Sequence, residues 1–407
     1  MNIIQSLENR FPLIRNDRMR DTLFLVGMSL IVFVETMTTT MFEEHLTLYS
    51  YLKVLALVLI AAKLVLFDSW KLKDVILFGI FGVISLLDRY YSTYNDVFFW
   101  VLLVWGARDI DFRKILKVHG TLVFLVVLTA FIASLTGKIV NLQYYTDGYV
   151  RNSFGIYYPT DFAAYVFFLT ATFFYLMKDR MEWWMYLSGV LLAFFTYKYC
   201  HARLDSCCLI IISVLYMITA LIEPHLKNKA MWLRVLLCFV IVVLFFVCFF
   251  IAYYYDPSID WMKEIDTLFS VRLDLGHAAF ERFDVNLFGQ FVLMQGNGGS
   301  TEWKSNYFFL DSSYIYILFK YGVVFVVLLL GSYVVSCFKR RKDLFFLVTI
   351  CVIALNATTA HHLTHVQYNP FFMALLASFA DKTTSSSLIK NADENKVDTC
   401  SRESYQH

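Results

Sequence analysis

The sequence predicts an all-α fold: a polytopic transmembrane helix bundle of about 12 spans, with one large extracytoplasmic loop between spans 9 and 10. Three observations lead there. The 407 residues are 59% hydrophobic and only 17% charged, far from the balance of soluble domains. Apolar runs recur at about the 17–25 residues that cross a bilayer. Pro12, Pro159, Pro224, Pro257 and Pro370 all read as lying outside those runs or at their edges. Proline is tolerated at a helix start and costly inside one.

In chain order, residues 1–21 are polar and read as a cytoplasmic N-terminus with no cleavable signal, so the first apolar run is a signal anchor. Spans 1–9 occupy 22–254, at roughly 22–41, 49–67, 72–87, 93–107, 118–137, 159–177, 183–199, 206–222 and 232–254. The large loop covers 255–311. Spans 10–12 occupy 312–380, at roughly 312–336, 344–360 and 366–380. The tail, 381–407, is polar and reads as cytoplasmic and unstructured. Most Lys and Arg fall on the connectors that share a side with the N-terminus, among them Arg108, Arg113, Lys178 and Arg340. By the positive-inside bias both termini are cytoplasmic and the large loop is outside. The net charge of +2 says little about partners beyond the lipid bilayer itself, and no nucleic-acid partner is expected.

Within the loop, Ile259, Met262, Ile265, Leu268, Phe269, Leu273, Ala279, Phe280 and Phe283 recur mostly at spacings of three and four, which predicts an amphipathic helix at the headgroup plane. Gln295 and the glycines after it read as a flexible turn. None of the eight cysteines lies in the loop, so no disulfide framework supports it.

Chemistry is expected where the chain leaves the bilayer. Arg151, Arg203 and Arg272 lie on the outer side, against the positive-inside bias. Each alone also fits a solvated or snorkelling arginine. Together they suggest an anion site, because a guanidinium fork matches phosphate oxygens two at a time. Asp311 opens span 10 and suits either a base toward a hydroxyl or a helix N-cap. His361, His362 and His365 lie between spans 11 and 12. The His361–His365 spacing suits a metal on one helix face, but no third ligand stands at a fixed spacing. A hydrogen-bonding or proton-transfer role is the stronger reading. Glu43, Glu44 and His45 form an acidic patch in the first outer connector, while Glu35, Lys53 and Lys63 pair or snorkel within spans.

At these residues the chain resembles the bacterial O-antigen and capsular polysaccharide polymerases, a superfamily shared with the O-antigen ligases. Arg151-Asn152-Ser153-Phe154-Gly155, running into Tyr158-Pro159-Thr160-Asp161, is similar to the family's Arg-x-Ser-x-Gly segment. Ser270-Val271-Arg272 followed by Asn286-Leu287-Phe288-Gly289 resembles its arginine-then-glycine loop segment. Asp311-Ser312-Ser313-Tyr314 resembles its Asp-Asn-Ser-Tyr helix start, with Ser312 in place of Asn. Ligase-type members carry His where Asp311 stands, which favours a polymerase.

The resemblance implies a glycosyltransferase in the bacterial cytoplasmic membrane that joins repeat units on undecaprenyl pyrophosphate at the outer face. Arg272, Asp311, Arg151 and Arg203 would be catalytic, and Tyr158, Asp161, His277, Tyr314 and His365 would bind substrate. No cofactor or metal is expected where arginine carries the charge. A flippase and a chain-length regulator are the implied protein partners. Three alternatives stay open: a metal-dependent transferase using polyprenyl-phosphate sugars through Glu43 and Glu44, an O-antigen ligase, and a transporter or flippase for the same lipid-linked sugars.

Overall fold

A computed structural model describes residues 16–146, 148–226, 230–269, 271–296, 299–301 and 306–379. The predicted tail, most of the predicted N-terminal segment, and part of the predicted glycine turn lie outside the described residues. The described residues are mostly helical. In order the helices are α1 (Asp17–Met37), α2 (Leu46–Leu66), α3 (Leu72–Ser92), α4 (Asp96–Gly106) and α5 (Phe112–Leu135). A hairpin of β1 (Gln143–Thr146) and β2 (Tyr149–Asn152) follows, with Tyr144 opposite Arg151. Then come α6 (Pro159–Met177), α7 (Trp183–Cys200), α8 (Arg203–Leu226), α9 (Met231–Leu237), α10 (Val240–Tyr253), α11 (Asp260–Leu268), α12 (Arg272–Arg282), α13 (Ser313–Lys339) and α14 (Leu344–Asn356).

Helices α2, α3, α5, α6, α8 and α13 are long and apolar enough to cross a membrane. The pair α9 and α10, bent by 42° at a short break, makes a seventh if counted as one. Helices α4 and α14 are apolar but shorter. The predicted span at 366–380 contains no α-helix; Phe371–Leu375 is a 3-10 turn. Pro370 lacks the N–H that a continuing helix needs, and Asn369 Oδ1 accepts the Phe371 N–H at 3.1 Å. Pro224, expected beyond a helix edge, lies inside the last turn of α8.

Local chemistry sets the helix starts. Asn16 Oδ1 accepts from Arg18 N at 3.0 Å, Asp111 from Arg113 N, and Asp343 from Phe346 N. Pro159 occupies the first turn of α6. Packing separates a central set from a peripheral one. Helix α6, the first half of α13 and α14 are buried along most of their length. Helix α3 instead exposes Leu72, Ile76, Ile80 and Val83 in a stripe at helical spacing. An apolar stripe of that extent on a folded chain suits lipid and not water.

The basic connectors meet at one end of the bundle. There Arg20 pairs with Asp17 and Asp21, Lys114 with Asp21, Arg108 with Asp74, Arg113 with Asp179 and Lys178 with Asp343. Lys63 pairs with Asp68 near the same end, and Lys53 pairs with Glu35 at 2.7 Å. The hairpin, the loop helices and the start of α13 lie at the opposite end.

The predicted amphipathic helix of the loop is two helices. Val271, at φ 64°, breaks it between α11 and α12. Asp266 then caps α12 from outside: its Oδ1 accepts from Leu273 N at 2.8 Å and Asp274 N at 3.3 Å, while Tyr255 Oη donates to its Oδ2. This fixes the direction in which α12 presents its first residue, Arg272.

Beyond α12 the chain crosses α13 at close quarters. Gly322 has φ 81° and ψ 172°, which breaks α13 in its middle. The backbone groups exposed by the break bond to the loop strand. Val323 N donates to Asn286 O and Val324 N to Leu287 O, each at 3.0 Å, and Gln290 N donates to Lys320 O at 3.3 Å. A Cβ on Gly289 would overlap the Lys320 carbonyl, and one on Gly322 would lie 2.5 Å from the Leu287 carbonyl oxygen. The Asn286–Gly289 motif is therefore a backbone crossing that tolerates no side chain at either glycine.

Candidate functional site

Six segments from distant parts of the chain converge at the end of the bundle opposite the basic connectors. Strand β2 brings Arg151. The start of α8 brings Arg203 and Asp205, and the first turn of α6 brings Asp161. Arg272 opens α12, and Asp311 lies two residues before α13. The turn after α14 brings His361, His362 and His365.

The centre is the Arg272–Asp311 pair, with Nε to Oδ2 at 3.1 Å and both side chains partly buried. Arg272 Nη1 also donates to Phe269 O at 3.3 Å. Asp311 does not cap α13. Its N-cap is Ser312, without a side-chain cap bond. Of the two roles weighed for Asp311, the cap is not the one this geometry uses.

Arg151 Nε donates to the Cys200 carbonyl at 3.1 Å, which ties the hairpin to the end of α7. Burial, and next the Arg272 guanidinium, hold Arg151 below its usual pKa, with Arg203 adding to the effect. The Arg272 and Arg203 guanidinium groups thus both lie close enough to repel that of Arg151. Such an arrangement is relieved by an anion. Asp161 and Asp205 supply buried carboxylates on the same side. Asp205 Oδ1 accepts from Asn356 Nδ2 at 2.8 Å, and Asp161 Oδ1 lies 3.6 Å from His362 Nε2.

The histidine turn is held rigidly. Asn369 Nδ2 donates to Leu363 O at 2.7 Å and to Tyr333 Oη at 2.8 Å, and Leu363 N donates to Ser313 Oγ at 3.2 Å. His361 and His365 are not on a helix face, contrary to the expectation from their spacing. They belong to a turn in which His365 N bonds to His362 O. Burial pushes His361 down to about 4, so the imidazole is neutral at physiological pH.

Two residues expected at the substrate face elsewhere. Tyr314 is buried, and its hydroxyl donates to Ala354 O at 2.8 Å inside the bundle. As the second residue of α13 it reaches across to α14. His277 shares a hydrogen bond with Ala252 O at 3.0 Å and packs on Tyr255, so it fastens α12 to α10. Tyr158 stacks on Tyr144 beside Arg151. In the connector between α1 and α2, Glu44 accepts from Tyr157 Oη at 3.1 Å.

Sequence reasoning passed over Asp205, Tyr307 and the Lys320–Asp96 pair. Tyr307 feels the charges of Asp311, Arg272 and Asp161. Lys320 Nζ lies 3.0 Å from Asp96 Oδ2 and 3.9 Å from the centre of the Tyr94 ring. A lysine inside an apolar run was the available signal for this pair. Asp205, two residues after Arg203, gave none beyond its charge.

An open apolar groove of about 670 Å³ runs along α5, α6 and α7, from Lys117 to Phe131, Phe162 and Phe195. Phe154, three residues after Arg151, packs on all three of those rings. The groove therefore ends beside the arginine-bearing hairpin. Comparison with family models, curated proteins and solved structures returns no match to this chain.

Proposed function

We propose that this protein is a polysaccharide polymerase of the bacterial cytoplasmic membrane. It joins oligosaccharide repeat units carried on undecaprenyl pyrophosphate at the outer face. The observation that carries this reading is that the Arg272–Asp311 pair and Arg203 lie close enough to Arg151 to act on its charge. In the reaction, a hydroxyl of the acceptor unit attacks the anomeric carbon of the donor. A new C–O bond forms, the bond from that carbon to the pyrophosphate oxygen breaks, and lipid pyrophosphate leaves with the electron pair. The three arginines stabilise the charge that develops on the leaving group. Asp311 takes the hydroxyl proton once Arg272 turns to the pyrophosphate. The apolar groove beside Phe154 suits the isoprenoid chain. In this reading α1, α4, α7 and α14 also cross the membrane, which with the six longer helices and the bent α9–α10 pair comes close to the 12 crossings expected, and the loop faces outward.

The orientation has its own test. In a cysteine-free background, Glu281→Cys on α12 should react with an impermeant thiol reagent in intact cells. Lys342→Cys at the basic end should react only after permeabilisation. Labelling of position 342 in intact cells would reverse the bundle and put the recess in the cytoplasm.

The chemistry is tested at Asp311. Because Asp311 caps no helix, Asp311→Asn should keep the shape while it removes the base and, with it, the charge that pairs with Arg272. Polymer should vanish while protein level stays normal and single repeat units accumulate on lipid at the outer face. Polymer of normal length from this variant would end the assignment of Asp311 as the base. Repeat units that fail to appear outside would point to a transporter instead.

A further inference from the structure

We propose that His361, His362 and His365 form a binding site for a divalent transition-metal ion of the zinc class. This goes beyond the glycan reading and does not depend on it. The nitrogens that each imidazole offers all lie within 4.8 Å of one another. Imidazole is a good ligand for such ions, and three of them with an open fourth position is a recurring zinc arrangement. Tetrahedral zinc places its ligand nitrogens about 3.3 Å apart, so small imidazole rotations close the set.

His362 supplies a second, independent observation. Its Nδ1 is buried without a hydrogen-bond partner, while its Nε2 faces the Asp161 carboxylate at 3.6 Å. A ligating histidine characteristically presents its other nitrogen to a carboxylate, which fixes the ring and its tautomer. A buried, unpartnered ring nitrogen otherwise costs free energy that a metal bond would remove. The turn is also pre-shaped by Ser313, Tyr333 and Asn369, so little backbone ordering is required on binding. The nearby cations are already matched. Lys320 pairs with Asp96 and Arg272 with Asp311.

The test reads metal and not polymer. Tag-free full-length protein, purified in detergent from zinc-supplemented cells, should retain about one zinc per chain after passage over a chelating resin. Cobalt(II) added to the metal-free protein should give the visible d–d absorption of a four- or five-coordinate nitrogen site. His361→Gln, His362→Gln and His365→Gln should each weaken cobalt binding at least about tenfold. His277→Gln, remote from the turn, should bind as the wild type does. Wild-type protein that retains no zinc and shows no cobalt band would overturn the proposal, and so would a triple His→Gln variant that still binds. Should the variants not remain monodisperse, the two wild-type measurements decide alone.

Discussion

Arg272→Ala is expected to lower polymer formation by about a hundred- to a thousandfold, the usual loss when one donor to a developing negative charge is removed. The protein should still reach the membrane, because α12 keeps its cap from Asp266. Arg272→Lys retains the charge but not the fork, and should stay strongly impaired. Arg282, ten residues on, is the internal comparison. Its guanidinium lies 4.6 Å from the centre of the Phe308 ring, so Arg282→Ala should cost packing and little rate. A competing role for Arg272 is merely to neutralise Asp311. Arg272→Lys separates the two, since it keeps a positive charge beside Asp311 without restoring the fork that grips phosphate. Membrane vesicles from that strain, supplied with lipid-linked repeat units, should remain strongly impaired. Full activity in Arg272→Lys would leave Arg272 as a structural counter-ion.

Gly322→Ala is expected to prevent folding, and Gly289→Ala to do the same. The backbone of Gly322 lies in a region of φ and ψ that is nearly closed to other residues, at a cost of about 1–3 kcal/mol for strain alone. Overlap of the new methyl with the Leu287 carbonyl adds to it. If α13 straightened to relieve both, the hydrogen bonds from Val323 and Val324 to the loop strand would be lost. Together these exceed on the order of 4 kcal/mol, a large share of the stability of an ordinary domain. The measurement is the yield of monodisperse protein in detergent and its melting temperature. Gly331→Ala, in the same helix with no atom within 4 Å of the added methyl, is the control and should be neutral or slightly stabilising. A Gly322→Ala protein that melts with the wild type would mean that the crossing is not as close as drawn.

The candidate site was legible in part. Arg151, Arg203 and Arg272 stood out because guanidinium groups on that side run against the charge bias of the chain, a signal that survives without coordinates. Asp311 stood out by position, but its role was ambiguous, since an aspartate before an apolar helix is a common cap. Only the placement of Arg272 beside it, 39 residues away in sequence, distinguishes pairing from capping. Tyr314 and His277 went the other way. Tyr314 sits inside a motif that suggests substrate contact and His277 on the helix that Arg272 opens, and both bond to carbonyl oxygens of the facing helices, α14 and α10.

By itself the sequence determined that the fold is helical, with six or seven apolar helices long enough for a bilayer, and where many of them start. Helix length, proline placement and side-chain caps act over a few residues and are written locally. It also determined that basic groups gather at one end, because alternating connectors must return to the same side. The tertiary structure decided the rest. The break of α13 at Gly322, the splitting of the loop helix at Val271, the capping of α12 by Asp266 and the gathering of three histidines in a non-helical turn each depend on contacts between segments far apart in the chain. Such contacts have no period and no fixed spacing. Their energies depend on what the partner segment presents, which only the folded arrangement supplies.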